Sequence, residues 1–151
     1  MLLYRIGAAK YANDVTGEGA RLNGGRWNHA GIPCIYTGES RAIVLLEYSA
    51  HISILNIKRA LSFTTFSVPD DSIMELKIAT LPGNWKDFPH PKETRDLGSK
   101  LLTERRSLVI KIPSAIIPQE YIYLINPEHL EVNKMKIINV EDYAYDVRIK
   151  S

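Results

Sequence analysis

The order of apolar and polar positions divides the chain into short strand-like runs set around two helical ones. Leu2 to Ile6 reads as a first strand, and Pro33 to Thr37 as a second that ends at Gly38. Ser40 is a good N-cap, so the stretch from Arg41 to about Leu55 is expected to be helical. Leu61 to Val68 is rich in strand formers and is stopped by Pro69-Asp70-Asp71, and Ile73 to Ile78 follows as a further strand. Pro82 to Pro91 contains three prolines with Gly83, Asn84 and Trp85, a composition that excludes regular structure and predicts a long loop or lid. Glu93 to Arg105 reads as a weaker helix interrupted by Gly98. Leu108 to Ile112, Tyr121 to Ile125 and Met135 to Val140 then alternate as strands, separated by Pro113, Pro118 and Asn126-Pro127. With no repeat, low-complexity tract or linker, the pattern predicts a strand-rich α+β fold in a single domain over residues 1–151.

Composition supports that picture. A chain of 151 residues with 45% apolar content can bury roughly two thirds of its unfolded surface around one core. The 19 Lys plus Arg nearly balance the 17 Asp plus Glu, so charge does not demand a nucleic acid or a membrane surface as partner. The one cysteine, Cys34, lies in the apolar run Ile32-Pro33-Cys34-Ile35-Tyr36 and reads as a small buried hydrophobe; thiolates cannot build a zinc site here. Met1, Leu2 and Leu3 are too few for a signal segment, and no apolar run approaches the ~18 residues of a membrane span, so the expected location is the cytoplasm.

Candidate chemistry is concentrated between Gly17 and Asn28, where Gly17, Gly19, Gly24 and Gly25 bracket Arg21 and Arg26 and the run ends on Trp27 and Asn28. Glycines let backbone amides approach an anion, and guanidinium forks match phosphate oxygens, so a phosphate-bearing ligand such as a nucleotide is the first to suspect. The run is neither a Rossmann fingerprint, whose third glycine would fall on Leu22, nor a Walker loop. Taken alone, it also fits an ordinary surface turn carrying solvated arginines. On the first helix, residues spaced at about 100° put Glu47 among Ile43, Val44, Ile54 and His51. A carboxylate on that stripe must either pair with an arginine or face a ligand site. Tyr36 can pack or stack on a ligand, and Arg5, inside an apolar strand, needs an anionic or carbonyl partner. Ser114 reads as a turn residue, while His51, His90 and His129 lack metal-ligand spacing and read as surface or loop residues.

Together, Tyr4-Arg5, the loop through Gly24-Gly25-Arg26-Trp27-Asn28, Gly31-x-Pro33-x-x-Tyr36, the helix bearing Glu47, Ile112-Pro113-Ser114-Ala115 and Asn126-Pro127-x-His129 resemble the RES domain over most of the chain. The resemblance implies a fold related to ADP-ribosyltransferases, with mixed or antiparallel strands and a few helices. It further implies the toxin of a bacterial toxin–antitoxin module, paired with an Xre-type antitoxin, that degrades NAD as a substrate and needs no cofactor or metal. Arg5, Arg26, Glu47 and Tyr36 would correspond to the family's functional arginines, glutamate and tyrosine, and Ser114, or less well Ser107, to its serine. Glu47 would stabilise an oxocarbenium-like ribose as nicotinamide leaves, Arg5 and Arg26 would hold the pyrophosphate, and Gly24, Gly25 and Asn28 would contribute to substrate binding. Tyr36 would orient the nicotinamide, and Ser114 a ribose or Glu47 itself. The acceptor of the ADP-ribosyl group and any self-association are left open. The chain departs from many relatives in Leu97-Gly98-Ser99, where a tryptophan commonly follows, and in Ile122, where an asparagine is common.

Overall fold

The apolar runs of the central strands are buried almost without interruption, as expected of one sheet with both faces covered. In the computed structural model, which describes residues 1–150, the strands are β1 (Leu2–Ala8), β2 (Ile35–Gly38), β3 (Ala60–Ser67), β4 (Ile73–Glu75), β5 (Val109–Pro113), β6 (Tyr121–Ile125) and β7 (Lys136–Ala144). They form a seven-stranded sheet in the order β4-β5-β6-β2-β1-β3-β7. Every pairing is antiparallel except β4 with β5. Three helices accompany it: α1 (Glu18–Asn23), α2 (Arg41–His51) and α3 (Lys92–Thr103). This is the α+β arrangement of mixed strands with few helices that the sequence predicts.

One face of the sheet carries Leu3, Ile35, Phe66, Val109, Tyr123 and Ile125, packed with Val68, Leu108 and Met135. The register explains the grouping, since Leu3 pairs Phe66, and Ile35 and Val109 both pair Ile125. The alternate residues face the helices. Ile110, Ile112, Ile122 and Leu124 pack with Trp27, Trp85, Leu101 and Leu102, while Ile43 and Val44 of α2 pack on Phe63. Burying these side chains is worth roughly 1.5–3 kcal/mol each before chain entropy is subtracted.

Several boundaries differ from expectation for local reasons. Helix α2 ends at His51 rather than near Leu55, because Ile52 is extended and Ser53 caps a separate short turn over Ile54–Asn56. The Lys150 ammonium also donates to the Ser49 and Ile52 carbonyls at 2.8 and 2.7 Å, closing the end of α2 from the far end of the chain. The strand expected to reach Ile78 stops at Glu75, and β7 runs on to Ala144. The glycine-bracketed run contains α1 rather than a continuous loop. Gly98 is a contact rather than a defect in α3: a Cβ there would lie 1.8 Å from the Trp27 carbonyl oxygen, so the helix backbone rests directly on the loop that carries Arg26.

Candidate active site

Ser40 accepts a hydrogen bond from the Ile43 amide at 3.1 Å and starts α2 so that Ile43 and Val44 meet the sheet and Glu47, one turn later, faces a cleft. The cleft has a volume of about 220 Å³, and its wall is mainly apolar, from Ile6, Trp27, Tyr36, Val44 and Ile122. The Glu47 side chain retains 20% exposure. Its Oε1 accepts a 2.6 Å hydrogen bond from the Ser114 hydroxyl, and its Oε2 lies 4.0 Å from His51 Nε2. Among the described residues no arginine or lysine forms an ion pair with it within 4.0 Å. Of the two readings open for an inward glutamate, the structure has the one in which it faces a cavity.

Ser114 is fully buried, and its Oγ also accepts from the amides of Ile116 and Ile117, both at 3.1 Å. With those acceptor positions filled, its proton is directed at Glu47. The turn residue expected from Ile-Pro-Ser is therefore also the residue that fixes the carboxylate. Ser107 is elsewhere: its hydroxyl meets the Ser72 and Val109 carbonyls and ties together the chain around β4 and β5.

Arg26 reaches the same cleft from the loop after α1. Its Nη1 donates to the carbonyls of Trp85 and Asp87, at 2.9 and 2.7 Å, linking the glycine-bracketed loop to the proline-rich segment Pro82–Pro91. Partial burial pulls its pKa down, opposed mainly by the nearby negative charge of Glu47. Tyr36 projects its ring into the cleft from β2. Its hydroxyl accepts from the Trp27 amide at 3.0 Å and donates to Asn28 Oδ1 at 2.6 Å, and burial pushes its pKa well above the ordinary tyrosine value. That hydroxyl is a structural pin, so the ring face is what Tyr36 offers to a ligand.

The rest of the glycine-bracketed run acts differently from the simplest expectation. The fully buried Asn28 donates through Nδ2 to the Ala20 and Ile32 carbonyls, each at 2.9 Å, so its amide is spent inside the loop. The Gly24 and Gly25 amides donate to the carbonyls of Ala20 and Asn28, at 2.8 and 3.0 Å, and are not free to cradle a phosphate. Gly24 supplies a positive φ of 69°, and a Cβ on Gly25 would lie 2.6 Å from the Tyr36 hydroxyl oxygen. These two glycines shape the wall of the site rather than donate to it through the amides expected of them.

Arg5 is not brought to this group. It projects from β1 on the sheet face that carries Leu3, with Phe66 and Thr64 as neighbours on β3, whereas α2 lies over the other face. Its guanidinium lies 5.0 Å from the Phe66 ring centroid and donates to the carbonyls of Asp14 and Ala12, at 2.7 and 2.8 Å. The carbonyl partners anticipated for a guanidinium in an apolar strand are thus found in the loop preceding α1.

Three further residues, with little or no signal in the local sequence, are brought to the site by the fold. A second cleft of about 730 Å³ adjoins the first, sharing Arg26, Tyr36 and His51 and adding Gly24, His90 and Arg95 to its wall. His51 and His90, read as surface or loop residues, stack with ring centroids 4.7 Å apart. Burial pulls His51 down, and burial together with the positive charges of Arg26, His51 and Arg95 pulls His90 down to about 4. His51 was detectable from its place one turn after Glu47 on the same helix face; His90 and Arg95 carry no local signal. No group of three or more His, Cys, Asp or Glu side chains among the described residues is placed to hold a metal, and no helix there is long and apolar enough to cross a membrane.

Comparison with known proteins gives a consistent family. The RES domain model matches residues 2–147. A protein of Yersinia enterocolitica named Toxin Res is 34% identical over 99% of this chain and 100% of its own length. The Prs ADP-ribosylating toxin of a Sphingobium species is 32% identical over 91% of this chain and 88% of its own. Among solved structures, the M. tuberculosis MbcT–MbcA toxin-antitoxin complex contains a chain that superposes with a TM-score of 0.77, covering 95% of this chain and 84% of that one at 18% identity.

Proposed function

Because the chain belongs to the RES-domain family, we propose that it is the toxin of a bacterial toxin–antitoxin pair and that it consumes NAD by cleaving the bond between nicotinamide and ribose. The observation that carries the reading is the Glu47 carboxylate, oriented by Ser114 and facing a cleft whose apolar wall includes Trp27 and Tyr36 and that Arg26 also lines. Departure of nicotinamide leaves positive, oxocarbenium-like character on the ribose, and a fixed carboxylate in an apolar cleft stabilises that charge more than it stabilises the substrate. Ser114 occupies Oε1, leaving Oε2 to accept from a ribose hydroxyl. The aromatic wall accommodates the nicotinamide ring, and the part of the Arg26 guanidinium not engaged by Trp85 and Asp87 faces the pyrophosphate. Nicotinamide departs as a neutral base, so this cleavage requires no metal or further cofactor.

The acceptor is water or inorganic phosphate in the leading form of the reading. Transfer to a macromolecule is the second form, and the Sphingobium relative named an ADP-ribosylating toxin favours it. Purified protein incubated with NAD, with and without phosphate and with candidate protein acceptors, distinguishes them through the ribosyl product. In every form Glu47→Gln keeps its fold and loses at least about a hundredfold in nicotinamide release, the scale of removing one transition-state charge interaction. Near wild-type release by that variant rejects the assignment. For the cell we propose an Xre-type antitoxin that covers the Arg26 end of the cleft. Expression of the toxin alone should arrest growth and deplete NAD, and growth with normal NAD would reject the toxin reading.

A further inference from the structure

The 730 Å³ cleft has two cations, of which the proposed cleavage chemistry uses only Arg26. Arg26 and Arg95 are its cations, the residues facing it include no aspartate or glutamate, and His51 and His90 complete its polar wall. Arg95 lies on α3 and is half-buried, yet it forms no hydrogen bond or ion pair among the described residues, and its Nε is buried without a partner. The acidic residues beside it on α3 are already engaged: Asp96, the next residue, is taken by Lys92 and His29, and Glu93 by Asn84. A guanidinium with no acceptor in a cleft free of carboxylates is costly to maintain unless an anion occupies the cleft. His90 Nδ1 is likewise buried without a partner, and its pKa is lowered by burial first and then by the positive charges of Arg26, His51 and Arg95.

We propose that Arg95 is a substrate-binding residue that, together with Arg26, holds a diphosphate group in this cleft. Two guanidinium groups match the two negative charges of a pyrophosphate linkage, and Arg26 stands where the two clefts meet. The wide cleft therefore takes the nucleoside diphosphate half of the substrate, while the narrow one takes the ribose that Glu47 faces. This assignment rests on the NAD reading and adds its division of labour: Arg26 serves both compartments, and Arg95 recognises the diphosphate half alone. It makes Arg95 a determinant of affinity rather than of the bond-breaking step.

Calorimetric titration with ADP, AMP and adenosine tests this without requiring turnover. The wild-type chain should bind ADP more tightly than AMP, and AMP more tightly than adenosine, with inorganic pyrophosphate competing against ADP. Arg95→Gln should weaken ADP binding about tenfold or more, the scale of a charge-assisted hydrogen bond, and leave adenosine binding unchanged. Arg95→Lys, which retains the charge without the fork, should fall between the two. In NAD turnover, Arg95→Gln should raise KM about tenfold with kcat within about twofold. ADP affinity unaltered by Arg95→Gln, or no preference for ADP over adenosine in the wild-type chain, overturns the assignment. If Arg95→Gln does not fold, pyrophosphate competition and the Arg95→Lys affinity decide it: absence of competition, or ADP binding by Arg95→Lys equal to wild type, overturns it. Arg95-dependent ADP binding without any nicotinamide release would retain this subsite and reject the NAD-cleaving reading. Turnover of NAD with an unchanged KM in Arg95→Gln would do the reverse.

Discussion

At the scale of single residues, the Glu47 carboxylate is held from behind by Ser114 and left open toward the cleft. Glu47 stood out because an ionisable residue on an apolar helical stripe needs a reason, and the reason proves to be a cleft with Ser114 behind it. Tyr36 and Asn28 were legible as important but not in their division of work, because the hydrogen bond between them joins β2 to a loop whose course depends on α1. That bond leads to a prediction about stability. Tyr36→Phe leaves the Trp27 amide and Asn28 Oδ1 unpartnered in a buried setting while retaining the ring, so it should cost about 1–3 kcal/mol in chemical denaturation. For a chain of this size each kcal/mol corresponds to roughly 2–4 °C in Tm. A variant as stable as wild type would mean that the hydroxyl is not the pin of the Arg26 loop. Arg5 illustrates the opposite limit: its need for carbonyl partners was readable, but the sheet face it occupies depends on strand pairings remote in sequence.

At the scale of elements, strand existence was well marked by alternation and by the prolines between runs, whereas helix ends and the short α1 were not. The end of α2 depends on Lys150, about a hundred residues away, and α1 sits where four glycines argue against helix. Gly98 shows why propensity misleads. Glycine inside a solvent-facing helix is ordinarily about 0.5–1 kcal/mol worse than alanine, so sequence alone recommends Gly98→Ala as stabilising. The structure reverses the sign, because the added methyl would lie 1.8 Å from the Trp27 carbonyl oxygen and α3 would have to move off the loop. Gly98→Ala should therefore destabilise by about 3 kcal/mol or more, at the high end of single substitutions, and should also weaken substrate binding by displacing Arg26. Urea denaturation measures the first effect. An equal or higher midpoint would show that α3 and Trp27 are not in this contact.

At the scale of the whole molecule, the α+β class was within reach of the sequence, but the order β4-β5-β6-β2-β1-β3-β7 was not, since it joins β2 to β6 and β3 to β7 across most of the chain. The same long-range assembly gathers Arg26, His51, His90 and Arg95 from four separate segments around one cleft, and that clustering has a pH signature for the entire fold. His90 is held down to about 4, by burial first and then by the charges of Arg26, His51 and Arg95; His51 is lowered too, by burial and Arg26 against an opposing pull from Glu47. In the unfolded chain both return to roughly 6.5, so between that value and about 4 the unfolded state binds more protons than the native state. Stability from this source is fully present above pH ~6.5 and is lost as the pH falls toward 4. The acidic groups Asp14 and Asp96 are lowered as well, but they start from 3.8, so their contribution is lost in a more acidic window. Urea midpoints measured from pH 7.5 to 4.5 should accordingly decline for the wild-type chain, and His90→Gln, which cannot take up the proton, should flatten the decline while leaving the pH 7.5 midpoint closer to wild type. A wild-type profile that is level across this range, or one that His90→Gln does not alter, would mean that burial and the neighbouring cations do not hold His90 neutral in the folded protein.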